Sequence, residues 1–181
     1  MGRSASRHRA HGIVRRSDRP TNSGRLLLAL AVTSQGHALP LSWSHDIEGV
    51  DWLELESLYR AAPLGKKNAK DLETVFVNSR FRCFVREHGR LVAVGRALAD
   101  GADCSYICDV AVLPSHQGTG LGKGVVQELV RLSSGHKKII LYSVPGKESF
   151  YSKLGFLRML TAMAIFEDQK AAIQRGHVSE S

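Results

Sequence analysis

Cys108-Asp109-Val110-Ala111-Val112-Leu113-Pro114-Ser115-His116-Gln117-Gly118-Thr119-Gly120-Leu121-Gly122-Lys123-Gly124 is the stretch that decides the fold. It reads as an apolar strand, a proline-marked exit, a glycine-rich turn and the opening of an amphipathic helix. A helix that starts on glycines leaves its first backbone N–H groups unpaired, and the helix dipole adds partial positive charge there. The combination is a cradle for a pyrophosphate.

Two common phosphate loops fail on spacing. A P-loop requires glycine six positions before its lysine and Ser or Thr after it, but Gln117 and Gly124 flank Lys123 at those places. A dinucleotide fingerprint G-x-G-x-x-G started at Gly118 ends on Lys123, and started at Gly120 it ends on Val125. What remains is Gln117-x-x-Gly120-x-Gly122 behind a strand that ends in Val-Leu-Pro. This resembles the acetyl-coenzyme A loop of the GCN5-related N-acetyltransferase (GNAT) superfamily. Ser149-Phe150-Tyr151-Ser152-Lys153-Leu154-Gly155-Phe156 is similar to a second element of that superfamily, Phe-Tyr-x-x-x-Gly-Phe. Gly155 there suits a helix C-cap.

The rest of the chain is consistent with one domain of this kind. Its 181 residues suffice for a sizeable core, and 43% hydrophobic content is ordinary for a globular protein. The net charge of +8 is unevenly spread. Residues 1–40 hold seven arginines and one acid, whereas the remainder has 18 basic against 16 acidic residues. A basic nucleic-acid-binding domain is therefore not implied. Cys83, Cys104 and Cys108 have no Cys-x-x-Cys spacing, so neither a metal site nor a disulfide framework is expected. The run Leu26–Val32 is too short to span a membrane.

Residues 1–39 read as a basic extension, residues 40–167 as the catalytic domain and residues 168–181 as a polar, fraying tail in which Gln169–Gln174 could add a helical turn. An Arg- and Ser-rich, acid-poor start also suits an organelle transit peptide, while a cytoplasmic location is the plain expectation.

Periodicity predicts strands at 41–47, 81–87, 91–98, 105–113, 138–144 and 158–166. It predicts helices at 51–62, 68–79, 119–132 and 147–154. This is the element order of the superfamily. The resemblance implies an α/β (α+β) fold with a mixed central sheet of about six to seven strands flanked by about four helices. The sheet should splay at the strand that binds acetyl-coenzyme A.

The resemblance also implies roles. Val110, Ala111 and Val112 would pair with the pantetheine arm as an added strand would. Gln117, Gly118, Thr119, Gly120, Leu121, Gly122 and Lys123 would hold the pyrophosphate. Tyr151 would be the general acid that protonates the departing thiolate. Asp109 is the candidate base for the incoming ammonium or, alternatively, a structural aspartate. Strand alternation puts Asp109 and Ala111 on one face and Cys108, Val110 and Val112 on the other. His116 is expected to face solvent, and Cys108 to be a small buried residue.

An acceptor pocket is expected around Trp52, Tyr59, Leu64 and Lys66, with core packing the alternative for the two aromatics. The motif region resembles plant-type serotonin N-acetyltransferases and their small bacterial relatives, which implies a small-molecule amine, such as an arylalkylamine, as partner. A protein N-terminus or lysine as acceptor, or an acetyl-coenzyme A sensor without catalysis, stays open. The assembly can be a homodimer. No metal, nucleic-acid or membrane partner is expected.

Overall fold

The computed structural model describes residues 30–32, 38–62, 64 and 67–179. Most of the basic extension and Lys66 lie outside the described residues.

The strands are β1 (Leu30–Val32), β2 (Ala38–Ser44), β3 (Phe81–Glu87), β4 (Arg90–Ala99), β5 (Cys104–Val112) and β6 (Lys138–Leu141). The helices are α1 (Trp52–Ala61), α2 (Ala69–Val77), α3 (Leu121–Leu132), α4 (Glu148–Ser152) and α5 (Gln169–Gln174). Strands β2 to β6 form a five-stranded sheet in sequence order, which the three-residue β1 extends at one edge. All pairings are antiparallel except β5 with β6. That parallel step needs a crossover, and α3 supplies it.

Local chemistry explains the helix starts. The Asp51 carboxylate accepts from the N–H groups of Leu53 (2.9 Å) and Glu54 (3.1 Å), and Asn68 accepts from Asp71 N–H at 2.8 Å. Each thereby satisfies backbone donors that the first turn leaves over.

Helices cover both faces of the sheet. On one face Phe84 of β3 meets Phe76 of α2 with ring centroids 5.4 Å apart, and Tyr59 of α1 meets Phe76 edge-on at 6.5 Å. On the other face α3 lies on Gly95 of β4. A Cβ built there would stand 2.6 Å from Val125 Cγ1 and 2.8 Å from Leu129 Cδ1, so the close approach of helix and strand requires glycine. Leu55, Leu72, Phe76, Val125 and Leu129 are fully enclosed.

Three expectations change. The first catalytic-domain strand runs from 38 to 44 rather than 41 to 47. The strand expected at 158–166 does not form, so among the described residues the main sheet has five strands, six with β1, at the low end of the expected count, and five helices stand where about four were expected. A strand needs a partner ladder, and β6 spans only four residues; propensity alone cannot hold an isolated strand. Leu157, Leu160, Met163 and Ile165 consequently face solvent. Finally, the helical turn expected at Gln169–Gln174 forms as α5, but the tail docks instead of fraying: Asp168 caps α5 through Ala171 N–H (2.9 Å) and Ala172 is buried.

Candidate active site

Two features of β5 shape the site. Its ladder with β6 runs only from Cys104↔Lys138 to Ile107↔Leu141, and beyond this the strands part. Among the described residues the β6-facing backbone edge of residues 108–112 is thus left without a strand partner, where the resemblance implies a splay. On the opposite edge the register with β4 jumps from Arg96↔Cys108 to Val94↔Ala111, so Asp109 and Val110 together stand across from Gly95. This is a β-bulge, which bends and twists the strand.

Asp109 occupies the bulge with φ +52°, a left-handed backbone that costs about 1–2 kcal/mol for a residue with a side chain. Its surroundings oppose that cost. Arg96 Nε donates to Oδ2 at 2.6 Å, and Lys67 Nζ lies 2.6 and 2.7 Å from the two carboxylate oxygens. The Tyr59 hydroxyl donates to the Asp109 carbonyl at 3.4 Å. Arg96 is itself buried and also donates to Ser79 Oγ at 3.2 Å. Asp109 is therefore not a free carboxylate: both oxygens already face cations. The bulge also breaks the simple alternation expected along β5. Cys108 sits opposite Arg96, and directly opposed residues share a face, so Cys108 joins Asp109 on the face of α1 and α2. Burial raises the Cys108 thiol pKa above its usual value, and Arg96 only partly offsets this, which disfavours a thiolate nucleophile.

The loop after β5 closes onto the strand. The Gln117 side-chain amide donates to the Val112 carbonyl at 3.0 Å, and Thr119 Oγ1 donates to the His116 carbonyl at 2.7 Å. Gly120 is the N-cap of α3 with φ +90°, a conformation glycine adopts without penalty, and it offers no side chain to the first N–H groups of the helix. Those donors remain available to an anion. Leu121 is buried in the core, so only its backbone is on offer to a ligand. His116 does not face solvent freely. Its ring bonds Ser115 Oγ (2.8 Å) and Glu87 Oε2 (3.1 Å), which pins the loop to the end of β3.

Gly122 links this loop to α4: a Cβ there would meet Val112 Cγ2 at 3.4 Å and Phe150 Cζ at 3.9 Å. Phe150 packs edge-on against Tyr151 (5.0 Å), which packs edge-on against Phe156 (6.2 Å). Burial raises the Tyr151 phenol pKa above its usual value, so it is protonated at neutral pH.

The fold thus gathers Val112, Gln117, Gly122 and, through Phe150, α4 with Tyr151 around the parting of β5 and β6. It does not bring Tyr59 to a pocket surface. That side chain is 1% exposed, and its phenol pKa is raised well above the ordinary value by burial and then by Asp109. Trp52 packs toward Phe76 at 6.4 Å, and Leu64 is half-buried between α1 and α2. Sequence reasoning missed Lys67 and Arg96. Arg96 carried a readable signal: an arginine inside the otherwise apolar run Leu91–Ala99 demands a buried partner. Among the described residues no group of three or more His, Cys, Asp or Glu side chains could hold a metal, and no helix is long and apolar enough to cross a membrane.

Residues 47–156 match the acetyltransferase (GNAT) family, and the chain belongs to it. It is similar to GCN5-related N-acetyltransferase 1, chloroplastic, of Arabidopsis thaliana, with 33% identity over 114 residues, 61% of this chain and 58% of that protein. It is also similar to serotonin N-acetyltransferase 2, chloroplastic, of Oryza sativa subsp. japonica, with 44% identity over 70 residues, 38% of this chain and 35% of that protein. The chain spans about three fifths of the length of the first of these relatives. In structure it resembles a GNAT-family acetyltransferase from Streptococcus pneumoniae TIGR4, with a TM-score of 0.61 and 22% identity over 71% of this chain and 99% of that one.

Proposed function

We propose that the protein is an acetyl-coenzyme A-dependent N-acetyltransferase that passes the acetyl group directly to a small primary amine within a ternary complex. The observation that carries this reading is the unpartnered β5 edge leading straight into a helix capped only by Gly120. Such an edge pairs with an extended, amide-bearing chain as an added strand would. The N–H groups of residues 118–123 suit a pyrophosphate.

The chemistry divides among this chain's own groups. A backbone N–H near Val112 polarises the thioester carbonyl. The amine nitrogen bonds to that carbon while the carbon–sulfur bond breaks. Tyr151 gives its phenolic proton to the departing sulfur and regains one from the amine through solvent. An alkylamine with a pKa of about 10 is almost entirely protonated at pH 7, so a proton must leave before attack. Asp109, held by Arg96 and Lys67, could accept it only by giving up one of those contacts. We therefore assign Asp109 to positioning: it holds the bulge that bends β5 toward the coenzyme.

The test is thiol release from acetyl-coenzyme A with a panel of aromatic amines, polyamines, amino sugars and short peptides. Tyr151→Phe should lower kcat at least about a hundredfold while leaving coenzyme affinity unchanged. An unchanged kcat removes Tyr151 as the acid. Coenzyme binding without turnover of any acceptor would favour the sensor reading. Both plant relatives named above are chloroplastic by name, so N-terminal sequencing of the mature protein should decide between a cleaved transit peptide and a cytoplasmic protein.

A further inference from the structure

Lys67 is a primary alkylamine that the fold holds beside the strand proposed to carry the acetyl group. Its Nζ lies 2.6 and 2.7 Å from the two Asp109 carboxylate oxygens and 5.6 Å from the centre of the Tyr59 ring. Asp109 immediately precedes Val110, the first of the three residues proposed to pair with the pantetheine arm. Val110 stands about 3 Å further along the strand. A flexible four-carbon stem takes up such a shift by changing rotamers. At 30% exposure Lys67 is not sealed in the core, so its ammonium has room to move.

The two faces of β5 separate this amine from the coenzyme. A Cβ on Gly95 would meet Val110 Cγ2 at 3.5 Å together with Val125 and Leu129, so Val110 faces α3. The Asp109 carboxylate turns the other way, to Lys67 over the Tyr59 ring and to Arg96 beside Ser79. Coenzyme phosphates at the start of α3 and an amine on Lys67 therefore approach the β5 edge from opposite sides. An ammonium must lose a proton before it attacks, and the base must lie within hydrogen-bond reach. For an added amine, Asp109 would first have to release one of its two cations. For Lys67 the contact given up is the one that delivers the proton, Nζ to Oδ1 at 2.6 Å, while Arg96 keeps Oδ2.

We propose that the protein acetylates its own Lys67, within one molecule. The inference rests on the transferase reading, since acetyl-coenzyme A supplies the acetyl group. One Nζ proton passes to Asp109 Oδ1. The freed electron pair bonds to the thioester carbon, and the carbon–sulfur bond breaks. The departing sulfur takes the Tyr151 proton, Tyr151 regains one from the new amide nitrogen through solvent, and Asp109 releases its proton to solvent. The products are an amide on Lys67, free coenzyme A and one proton. The amide is uncharged, so Asp109 then keeps only Arg96. Carrying both reactants on one molecule turns a bimolecular encounter into a unimolecular step.

The test incubates the full chain with acetyl-coenzyme A and follows acetylated lysines over time by tandem mass spectrometry. Acetylation of Lys67 should saturate with acetyl-coenzyme A, and its rate constant should not change over about a tenfold range of protein concentration. Acetylation without catalysis follows exposure and would favour Lys138, 54% exposed, so Lys67 should lead Lys138 by about tenfold or more. Lys67→Arg keeps a cation on Asp109 but cannot lose its proton, and should lack the early acetyl group. An unmodified Lys67, Lys138 modified first, a rate constant that rises with protein concentration, or the same early acetyl group in Lys67→Arg would overturn the proposal. Thiol release with an added amine and no acetyl group on Lys67 ends this inference alone. Neither thiol release nor acetylated Lys67 ends it together with small-amine transfer. Acetylated Lys67 with no added amine turned over upholds it.

Discussion

Replacing Asp109 by Asn removes one charge from the centre of the bulge while leaving its shape. Asn tolerates a φ of +52° about as well as Asp, so the substitution isolates the ionic contribution from the backbone strain. In the native protein the carboxylate is 14% exposed and holds Arg96, 10% exposed, and Lys67, 30% exposed. Removing one partner of a buried ion pair costs about 3–5 kcal/mol because a charge is left uncompensated. Lys67 can swing toward water, whereas Arg96 stays enclosed beside Ser79, which puts Asp109→Asn near the low end, about 3 kcal/mol. For a chain of this size that lowers Tm by roughly 6–12 °C. Asp109→Ala should lose about 1 kcal/mol more, since alanine lacks the local hydrogen bonding that eases a left-handed backbone. Thermal unfolding followed by circular dichroism measures both. In the thiol-release assay a positioning role predicts a raised KM for acetyl-coenzyme A, whereas a base predicts loss of kcat with KM unchanged. If Asp109→Asn melts within about 2 °C of the parent, the ionic clamp contributes little and the account of the bulge is wrong.

Gly95→Ala places a methyl carbon against Val125 and Leu129, and should cost about 1–3 kcal/mol of overpacking despite alanine's smaller entropy loss; the double variant with Val125→Ala should recover part of it in the same melt. Gln117→Ala releases the Val112 carbonyl and should weaken coenzyme A binding severalfold by calorimetry, without altering Tm by more than a few degrees. Alkaline pH should destabilise the fold. Burial raises the pKa of Cys83, Tyr59 and Tyr151 above their ordinary values. Above about pH 8.5 for the thiol and about 10 for the phenols, the unfolded chain therefore releases protons that the folded chain retains. The native state then binds more protons, so stability falls as pH rises. A Tm that stays flat from pH 8 to about 11 would contradict this.

What could be read in advance follows from how locally each feature is determined. The helix starts at Asp51 and Asn68 were legible because an N-cap depends on a side chain and backbone donors only a few residues away. The glycine-rich turn before α3 was legible for the same reason, since Gly118 and Gly120 determine backbone geometry within one turn. The strand expected at 158–166 was read correctly as apolar but wrongly as paired. Apolar alternation records a preference for burial and says nothing of whether a partner edge is within reach. Cys108 was assigned to the wrong face because a bulge of one residue reverses alternation, and that bulge arises where β4 and β5 meet across Gly95.

By itself, the sequence located the strand at β5, the glycine-rich loop and the helix that follows, while the family and the splay of the sheet there came from the resemblance of that stretch to the GNAT superfamily. The elements rest on short-range stereochemistry: glycine where φ must be positive, caps where helices begin, apolar residues at the period of the element. Only the tertiary structure decided that Asp109 is held between Arg96 and Lys67, and that Tyr59 lies in the core. It likewise packed the rings of Tyr142, Phe166 and His177 against one another. Each of those groupings joins residues distant in sequence. Their charges and rings acquire chemical meaning from distances of a few ångströms that only the packed sheet and helices impose.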